Sequence, residues 1–224
     1  LGAVAEGCAA GLLQYLPMLI SFLLPMLDDA RPLVRSTTCW TLSRFSRWTV
    51  QCACPSNNPN AMPQQQGMEQ LNTLTTALCK RCLDHNKHVQ AAACGAIATL
   101  LSEGRDTLAP WTAGIVQTLA EALAKYRRKN LRNLYDALTM LAENIGPALD
   151  NATHAGMILP GMLQRWENSN GADPELFHLL ECLTALVIGF GQSAAQYASG
   201  IFNKCVAALT LMLQRRTAVQ RGEI

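Results

Sequence analysis

Apolar residues recur every three to four positions along most of this chain, and this spacing predicts amphipathic helices rather than strands. Prolines, glycines and polar turns divide the helices into successive pairs. The predicted pairs are 15–28 with 32–50, 67–83 with 87–103, 108–126 with 129–146, and 153–168 with 173–191, between single helices near 1–10 and 195–214. A chain of repeated helix pairs is typical of an α-solenoid.

The second helices can be anchored on Val34, Val89, Leu131 and Leu176, which are separated by 55, 42 and 45 residues. The long first interval contains 51–66, where three prolines, three asparagines and a Gln-Gln-Gln run predict a flexible insertion between repeats. Without this insertion the period is typical of HEAT repeats. We therefore expect an all-α fold, a right-handed HEAT-repeat superhelix of about four complete helix pairs with partial repeats at both ends.

Neither end of the chain carries the polar capping unit that closes a solenoid. The opening LGAVAEGC has the pattern of a second helix without its first helix, and the final LQRRTAVQRGEI is equally uncapped. We expect 1–224 to form a single solenoid segment from within a longer protein.

The charges are nearly balanced, with 18 lysines and arginines against 16 aspartates and glutamates, so the composition does not predict a nucleic-acid-binding surface. A basic cluster of Arg127, Arg128, Lys129 and Arg132 falls at a predicted helix start, where a solvated turn is the favoured interpretation. The apolar run 11–27 is short and interrupted by proline and glutamine, so it predicts a buried helix and not a membrane span.

Several of the nine cysteines lie within apolar helical patterns, which is typical of small buried hydrophobes in a reducing compartment. These are Cys8, Cys39, Cys94, Cys182 and Cys205. A zinc site remains an alternative at a second group with three-residue spacing. Its members are Cys79, Cys82, His85 and His88, with Cys52 and Cys54 upstream.

A fixed position in the repeat should place residues on one side of successive layers. Five residues past each anchor stand Cys39, Cys94, Asp136 and Glu181, so we expect a surface that becomes acidic along the stack. Asp136, Met140 and Glu143 share one helical face, since they are spaced i, i+4 and i+7. A solvated face explains these residues equally well. The sequence has no glycine-rich phosphate loop, nucleophile elbow or His-Glu-x-x-His motif, so it does not predict an enzyme or a cofactor.

Several short sequence segments resemble those of a known family. They are LGAVAEGC, YLPMLI, LVRSTTCWTLSRFSRW, KHVQAAACGAIATL, KYRRKNLRNLYDAL and LFHLLECLTAL. In this order they resemble the transportin branch of the importin-β (karyopherin-β) nuclear import receptors, and ordinary HEAT repeats do not share TCWTLSR or NLYDAL. A generic HEAT-repeat scaffold for protein interactions remains the alternative.

The resemblance implies a receptor that shuttles between cytoplasm and nucleus. Its cargo proteins carry a proline-tyrosine nuclear localisation signal, which binds the concave face, and it needs no cofactor. Further partners of an intact receptor of this kind are nucleoporins and the GTPase Ran, whose site is expected outside this chain. Neither nucleic acid nor membrane is implied as a partner.

The resemblance also assigns roles to residues. Trp40 matches a tryptophan that packs against the Pro-Tyr end of the signal, and Thr37 stands where an aliphatic contact is usual. A large flat indole suits this role, because it supplies contact area with few rotatable bonds. A core tryptophan between helices is the alternative for Trp40. We interpret the other tryptophans as packing residues, namely Trp48, Trp111 and Trp166.

Thr99 and Asp136 match positions that hold the basic residue of the signal, where a carboxylate gives a charge-assisted hydrogen bond. Ser102 replaces a usual glutamate, although Glu103 is adjacent, and Met140 replaces another polar contact. The acidic part of the site is therefore expected to be reduced. Further acidic contacts are expected from Glu143 and Glu181.

Overall fold

The computed structural model describes residues 11–55, 62–169 and 175–220, which hold helices and no strand. The helices are α1 (Leu16–Leu23), α2 (Pro32–Ser43), α3 (Ser46–Ala53), α4 (Gln64–Cys82), α5 (Lys87–Gly104), α6 (Thr112–Lys125), α7 (Arg128–Asn144), α8 (Ala152–Asn168), α9 (Leu176–Phe190) and α10 (Ala195–Gln220). Short 3-10 segments lie at Leu24–Asp28, Arg105–Trp111, Gly146–Leu149 and Gly191–Ala194. The helix predicted at 1–10 lies outside the described residues.

The helices form two layers. In the second-helix layer, α2, α5, α7 and α9 each pack against the next, and in the first-helix layer α4, α6 and α8 do the same. The core lies between the layers, where residues such as Leu42, Leu78, Ile97 and Leu138 are fully buried. Four helix pairs are complete within this part of the chain, which confirms the predicted all-α HEAT-repeat solenoid.

The cysteine prediction is confirmed at three positions and wrong at a fourth. Cys39, Cys94 and Cys182 are fully buried in the core. Burial raises the pKa of the Cys39 thiol to about 12, so it behaves as a neutral apolar group. Cys205 on α10 is exposed, and Cys8 lies outside the described residues.

The second helix predicted at 32–50 is not continuous. It divides into α2 and α3, because the amide of Phe45 bonds to the carbonyl of Leu42 (3.0 Å) in a tight 3-10 turn. The turn buries the Phe45 ring, which is 4% exposed, and redirects α3 so that it packs against α4.

Helical structure enters both ends of the predicted insertion at 51–66. Residues 51–53 complete α3 and residues 64–66 begin α4, while 56–61 lie outside the described residues. On either side of this connection the two backbones nearly touch. A Cβ atom on Gly67 would lie 2.0 Å from the carbonyl oxygen of Cys52, so only glycine allows this approach.

A buried ion pair joins the turns of the first two repeats. Asp84 accepts hydrogen bonds from Nε and Nη2 of Arg35, both at 2.9 Å, and from the amide of Asn86 at 2.9 Å. The side chains of Arg35 and Asp84 are 4% and 2% exposed. Nη1 of Arg35 also donates to the carbonyls of Asp29 (2.8 Å) and Ala30 (3.0 Å). The guanidinium therefore fixes α2 against the turn between α4 and α5.

Amide side chains continue this polar connection to the third repeat. Nε2 of Gln90 donates to the carbonyl of Asp84 (2.6 Å). Nδ2 of Asn130 donates to Oε1 of Gln90 (2.8 Å) and to the carbonyl of Lys87 (2.9 Å). The turns on this edge are thereby fixed relative to one another.

The apolar stretch Leu176–Gln214 is long and apolar enough, by length and composition alone, to cross a membrane. It is not one helix, because the 3-10 segment at Gly191–Ala194 separates α9 from α10. Gly191 there has a φ of +49°, which favours glycine, and the amide of Ser193 donates to Asp150 (3.1 Å). The helix α9 also packs against α7 and α8, so its apolar residues serve the packing of the solenoid.

Candidate functional site

One side of the second-helix layer faces away from the core and is continuous across four neighbouring helices. We call it the open face. Its members are Leu33, Thr37 and Trp40 on α2 with Arg44 directly after it, Gly95, Thr99 and Ser102 on α5, Asp136, Met140 and Glu143 on α7, and Phe177, Glu181, Thr184 and Ile188 on α9. Glu103 is also exposed on α5, about 100° further round the helix than Ser102.

The predicted alignment of Cys39 and Cys94 with two carboxylates is wrong. Both cysteines are fully buried, whereas Asp136 is exposed. The sequence anchors aligned Cys94 with Asp136, but the burial pattern aligns Cys94 with Tyr135, one residue earlier on α7. A shift of one residue turns a helix by about 100°, which is enough to exchange a core position for an exposed one. The equivalent exposed positions are Trp40, Gly95, Asp136 and Glu181.

Trp40 is exposed, so the alternative of a core tryptophan is wrong. Its fractional exposure is 44%, and the guanidinium carbon of Arg44 lies 5.5 Å from the ring centroid. This cation–π contact covers one face of the indole, while the rest of the exposed ring stays in solvent. The predicted packing role of the other three tryptophans is confirmed, since all are partly buried against the core: Trp48, Trp111 and Trp166.

The next helix of the second-helix layer, α5, presents few large side chains on the open face. A Cβ atom at Gly95 would have no neighbour within 4 Å, and the half-buried Thr99 donates its hydroxyl back to the carbonyl of Gly95 (3.0 Å). Trp40 and Asp136 therefore stand on either side of a shallow floor. An extended chain could cross this floor without meeting a large side chain.

Carboxylates follow on α7 and α9. Within the described ranges, no basic side chain lies within 4 Å of Asp136 or Glu143, and Glu181 has only Nδ1 of His178 at 3.6 Å. Burial raises the pKa of the Cys182 thiol to about 12, and the negative charge of Asp136 acts in the same direction. These acidic groups are available to a cation from outside the chain.

Met140 is half-buried between the two carboxylates of α7. Nδ2 of Asn144 donates to its carbonyl (2.9 Å) and lies 3.8 Å from its sulfur, so Met140 offers the open face a thioether surface. The loss of one polar contact at this position stays a prediction.

Three exposed apolar residues of the open face were not among the site residues predicted from the sequence. Leu33, Phe177 and Ile188 are 76%, 77% and 76% exposed. The signal for them is present, because Leu33 precedes Trp40 by seven residues and Phe177 precedes Glu181 by four, which keeps each pair on one side of its helix.

The structure does not assemble the alternative zinc site. Cys82 is buried in the core, where the hydroxyl of Tyr126 donates to its carbonyl (2.6 Å), whereas the side chain of His85 is 86% exposed. Among the residues with described positions, no group of three or more His, Cys, Asp or Glu is arranged to hold a metal ion.

Comparison with known proteins bears on the identity of this fold. Residues 1–45 match the HEAT-like repeat family. The chain is 43% identical to Transportin-1 of Oryza sativa over 206 residues and 42% identical to Transportin-1 of Homo sapiens, covering 92% of this chain and 22% of each relative. It is 35% identical to Importin subunit beta-2 of Schizosaccharomyces pombe over 219 residues, 98% of this chain and 23% of that protein. The chain thus spans about a fifth of the length of these curated relatives.

Solved structures show the same architecture. Kap121p bound to Pho4p superimposes with a TM-score of 0.75 at 17% identity, over 94% of this chain and 19% of that one. Kap121p bound to Nup53p gives a TM-score of 0.72 at 18% identity, over 96% and 20%. At these identities the likeness concerns the fold. Together with the sequence identity to transportins, it shows that this chain corresponds to a HEAT-repeat segment of the transportin (importin beta-2) family of karyopherins.

Proposed function

We propose that this chain binds nuclear localisation signals of the proline-tyrosine type on its open face, as the cargo-binding part of a nuclear import receptor. One observation carries the proposal: an exposed tryptophan lies on one continuous surface with Asp136 and Glu143, which have no basic side chain within 4 Å among the described residues, and a glycine floor separates them. The Pro-Tyr end of the signal packs on Trp40, and its basic residue is held by Asp136 with Thr99. Further contacts come from Thr37, Ser102, Glu103, Met140, Glu143 and Glu181.

The spacing of the helices sets the length of the signal. Packed helices lie about 8–10 Å apart, so Trp40 and Asp136, two helices along, are about 16–20 Å apart. An extended peptide covers this distance in about five or six residues. The receptor should therefore prefer a basic residue about five positions from the Pro-Tyr pair.

The relatives support a transport role without chemistry. The names transportin and importin belong to proteins that are 35–43% identical to this chain, and Kap121p, which shares the fold, has been crystallised with the extreme C-terminus of the phosphatase Cdc14p and with Nup53p. By analogy, this chain binds its cargo segment non-covalently on the concave side of the solenoid. Nucleoporins bind the intact receptor, and the receptor shuttles between cytoplasm and nucleus.

Cargo release is proposed to depend on Ran-GTP bound elsewhere in the receptor. Two ligands that favour different shapes of one solenoid weaken each other's binding by the same factor. A generic HEAT scaffold, by contrast, would have no reason to couple a peptide on the open face to Ran.

The proposal is tested by titrating a fluorescent peptide with an Arg about five residues before Pro-Tyr against the wild-type chain, Trp40→Ala and Asp136→Asn. An aromatic side chain offers up to about 250 Å². The exposed 44% of Trp40 is therefore about 110 Å², which corresponds to at most about 3 kcal/mol at about 25 cal/mol/Å². We expect Trp40→Ala to weaken binding by about 1–3 kcal/mol. Asp136→Asn should weaken it less and reduce its salt dependence.

Matched controls lie in the first-helix layer. Phe22 is an exposed aromatic residue on α1 and Glu69 an exposed carboxylate on α4, so Phe22→Ala and Glu69→Gln should leave the affinity unchanged. Equal weakening by Phe22→Ala and Trp40→Ala, with circular dichroism showing both variants folded, would reject the open face as the binding site. Failure of folded wild type to bind the peptide would favour the generic scaffold.

A further inference from the structure

A basic groove lies at the opposite end of the second helices from Glu103 and Glu143. It is a cavity of about 720 Å³ between the N-termini of α5 and α7, which we call the turn groove. Its basic side chains come from both helices and from the end of α6: Lys87, Lys125, Arg127, Arg128 and Lys129. The exposed His85 lies at its rim.

The charge in the turn groove is only partly compensated by neighbouring carboxylates. Among the residues that the structure describes, no aspartate or glutamate lines it, although the whole chain carries a formal charge of only +2. Lys125 pairs with Glu121 (3.3 Å) and Arg128 faces Glu175 at 3.8 Å. For Lys87, Arg127 and Lys129, no carboxylate lies within 4 Å in the part of the chain that the structure describes.

The position of these cations is electrostatically unfavourable within the chain itself. The N-terminus of a helix carries the positive end of the helix dipole, where acidic residues are stabilising and basic residues are not. The first turns of α5 and α7 contain no acidic residue, and α7 begins with Arg128 and Lys129, directly after Arg127. Arg127 at the N-cap position makes no side-chain capping bond. A bound anion would relieve this repulsion and accept hydrogen bonds from the helix end.

The uncharged polar side chains of the turn groove, Gln90 and Asn130, already form hydrogen bonds within the chain. Nδ2 of Asn130 donates to Oε1 of Gln90 and to the carbonyl of Lys87, and Gln90 donates to the carbonyl of Asp84. These bonds hold the two helix ends at a fixed separation. Recognition is therefore left to the flexible basic side chains, which suit several anionic groups along one segment.

We infer that the turn groove binds an anionic peptide segment of a partner protein, one that carries clustered carboxylates or phosphorylated side chains. A groove between two helix ends, supplied with several cations and with no phenylalanine, tyrosine or tryptophan among its described lining residues, fits an extended acidic chain. The chain as a whole does not have the strongly basic character of a nucleic-acid-binding domain, since its pI is about 8.1 and its open face is acidic. The turn groove would thus select a segment of opposite charge to the signal bound on the open face.

The test measures the affinity of labelled peptides for the 224-residue chain by fluorescence anisotropy. The probes are a short poly-glutamate peptide, the same peptide with phosphoserine at alternate positions, a poly-glutamine peptide and a single-stranded oligonucleotide of matched charge. We expect both anionic peptides to bind and poly-glutamine not to bind. Tighter binding of phosphoserine than of glutamate identifies a phosphorylated partner, and the reverse order identifies an acidic one.

Charge reversal then locates the site. We expect Arg127→Glu and Lys129→Glu each to weaken anionic-peptide binding about tenfold, since each removes a charge-assisted contact. The thermal midpoint should stay the same or rise, because a glutamate suits the helix N-terminus. The matched control is Arg47→Glu on the exposed side of α3, which changes the net charge equally and should leave binding intact.

Three results would overturn the inference. They are absence of binding to both anionic peptides, equal weakening by Arg47→Glu, and preference for the oligonucleotide over the peptides. Binding of the basic Pro-Tyr peptide should persist in Arg127→Glu. Failure at the turn groove is therefore distinguishable from failure of the proposed cargo site.

Discussion

Replacement of Asp84 by asparagine tests whether the buried ion pair holds the first two repeats together. Asp84→Asn preserves the shape of the side chain but removes its negative charge. The guanidinium of Arg35, buried beside it, then loses the anion that accepts two of its hydrogen bonds at 2.9 Å. The isosteric change leaves the surrounding core in place, so the loss comes from the missing charge and from one acceptor oxygen that becomes an amide donor.

The size of the destabilisation depends on which hydrogen bonds the two arginines keep. Removal of one member of a buried ion pair costs about 3–5 kcal/mol, because a charge is left uncompensated. Arg35 keeps its bonds to the carbonyls of Asp29 and Ala30, and Arg81, which also donates to Asp84 (3.1 Å), keeps Asp28 at 3.2 Å. We therefore expect a destabilisation near the lower limit, about 3 kcal/mol.

The effect should depend on pH. Burial tends to raise the pKa of Asp84, but the bonds from Arg35 and from the amide of Asn86 outweigh it and hold the pKa below its usual range. A lowered pKa in the folded state means that stability is present above the unfolded value of about 3.9 and is lost as the pH falls through the folded value. The difference between wild type and Asp84→Asn should thus be full at pH 7 and shrink in acid.

Urea unfolding followed by circular dichroism measures this difference. A loss of about 3 kcal/mol with a slope of about 3 kcal/mol/M lowers the midpoint by about 1 M. Amide hydrogen exchange should show increased opening in α2 and in the turn before α5, because each repeat contacts only its neighbours. Asp29→Asn is the control, since Asp29 occupies the same place in the preceding turn but pairs with Arg31, whose side chain is 77% exposed. A midpoint that falls no further for Asp84→Asn than for Asp29→Asn, or a difference that persists unchanged at pH 3, would show that the charge of Asp84 does not hold these repeats together.

Three further predictions concern packing and exposure. Gly95→Ala should raise stability by about 0.5–1 kcal/mol in urea unfolding, because the added methyl meets open space and alanine favours helix; a lower midpoint would contradict the bare floor. Gly67→Ala should lower the midpoint clearly, since its Cβ would collide with the carbonyl of Cys52; an unchanged midpoint would show that α3 and α4 can separate freely. In a thiol-labelling assay at neutral pH, Cys205 should react in the native chain and Cys39 only after unfolding; early labelling of Cys39 would contradict its burial.

The helix pairs could be predicted because each helix has one apolar side, and apolar spacing records that directly. The break at Phe45 could not be predicted, because no proline or glycine marks it and tertiary packing decides it, through the burial of the Phe45 ring and the contact of α3 with α4. The one-residue error at Leu131 has a related cause. Both Asn130 and Leu131 are buried, so the sequence offers two plausible anchors, and only packing against α5 selects between them.

The open face was partly predictable for the same reason. Asp136 and Glu143 share a helical side by their spacing alone, and the structure leaves both exposed. The exposure of Trp40 could not be deduced from periodicity, since an indole suits a core equally well. The turn groove was predictable only in part. The sequence shows the basic cluster at 127–129, but Lys87 lies forty residues from Arg127 and only repeat stacking brings the two to one cavity.

The close approach of Gly67 to the carbonyl of Cys52 has a consequence for how this chain can vary. The contact clamps both ends of the connection between α3 and α4, so the length of the connection is independent of the pitch of the repeats. Lengthening a loop with fixed ends costs only about 0.6 kcal/mol for each doubling. Residues inserted between positions 55 and 62 should therefore be tolerated as an added peptide tag or reporter, while the register of the second helices stays unchanged.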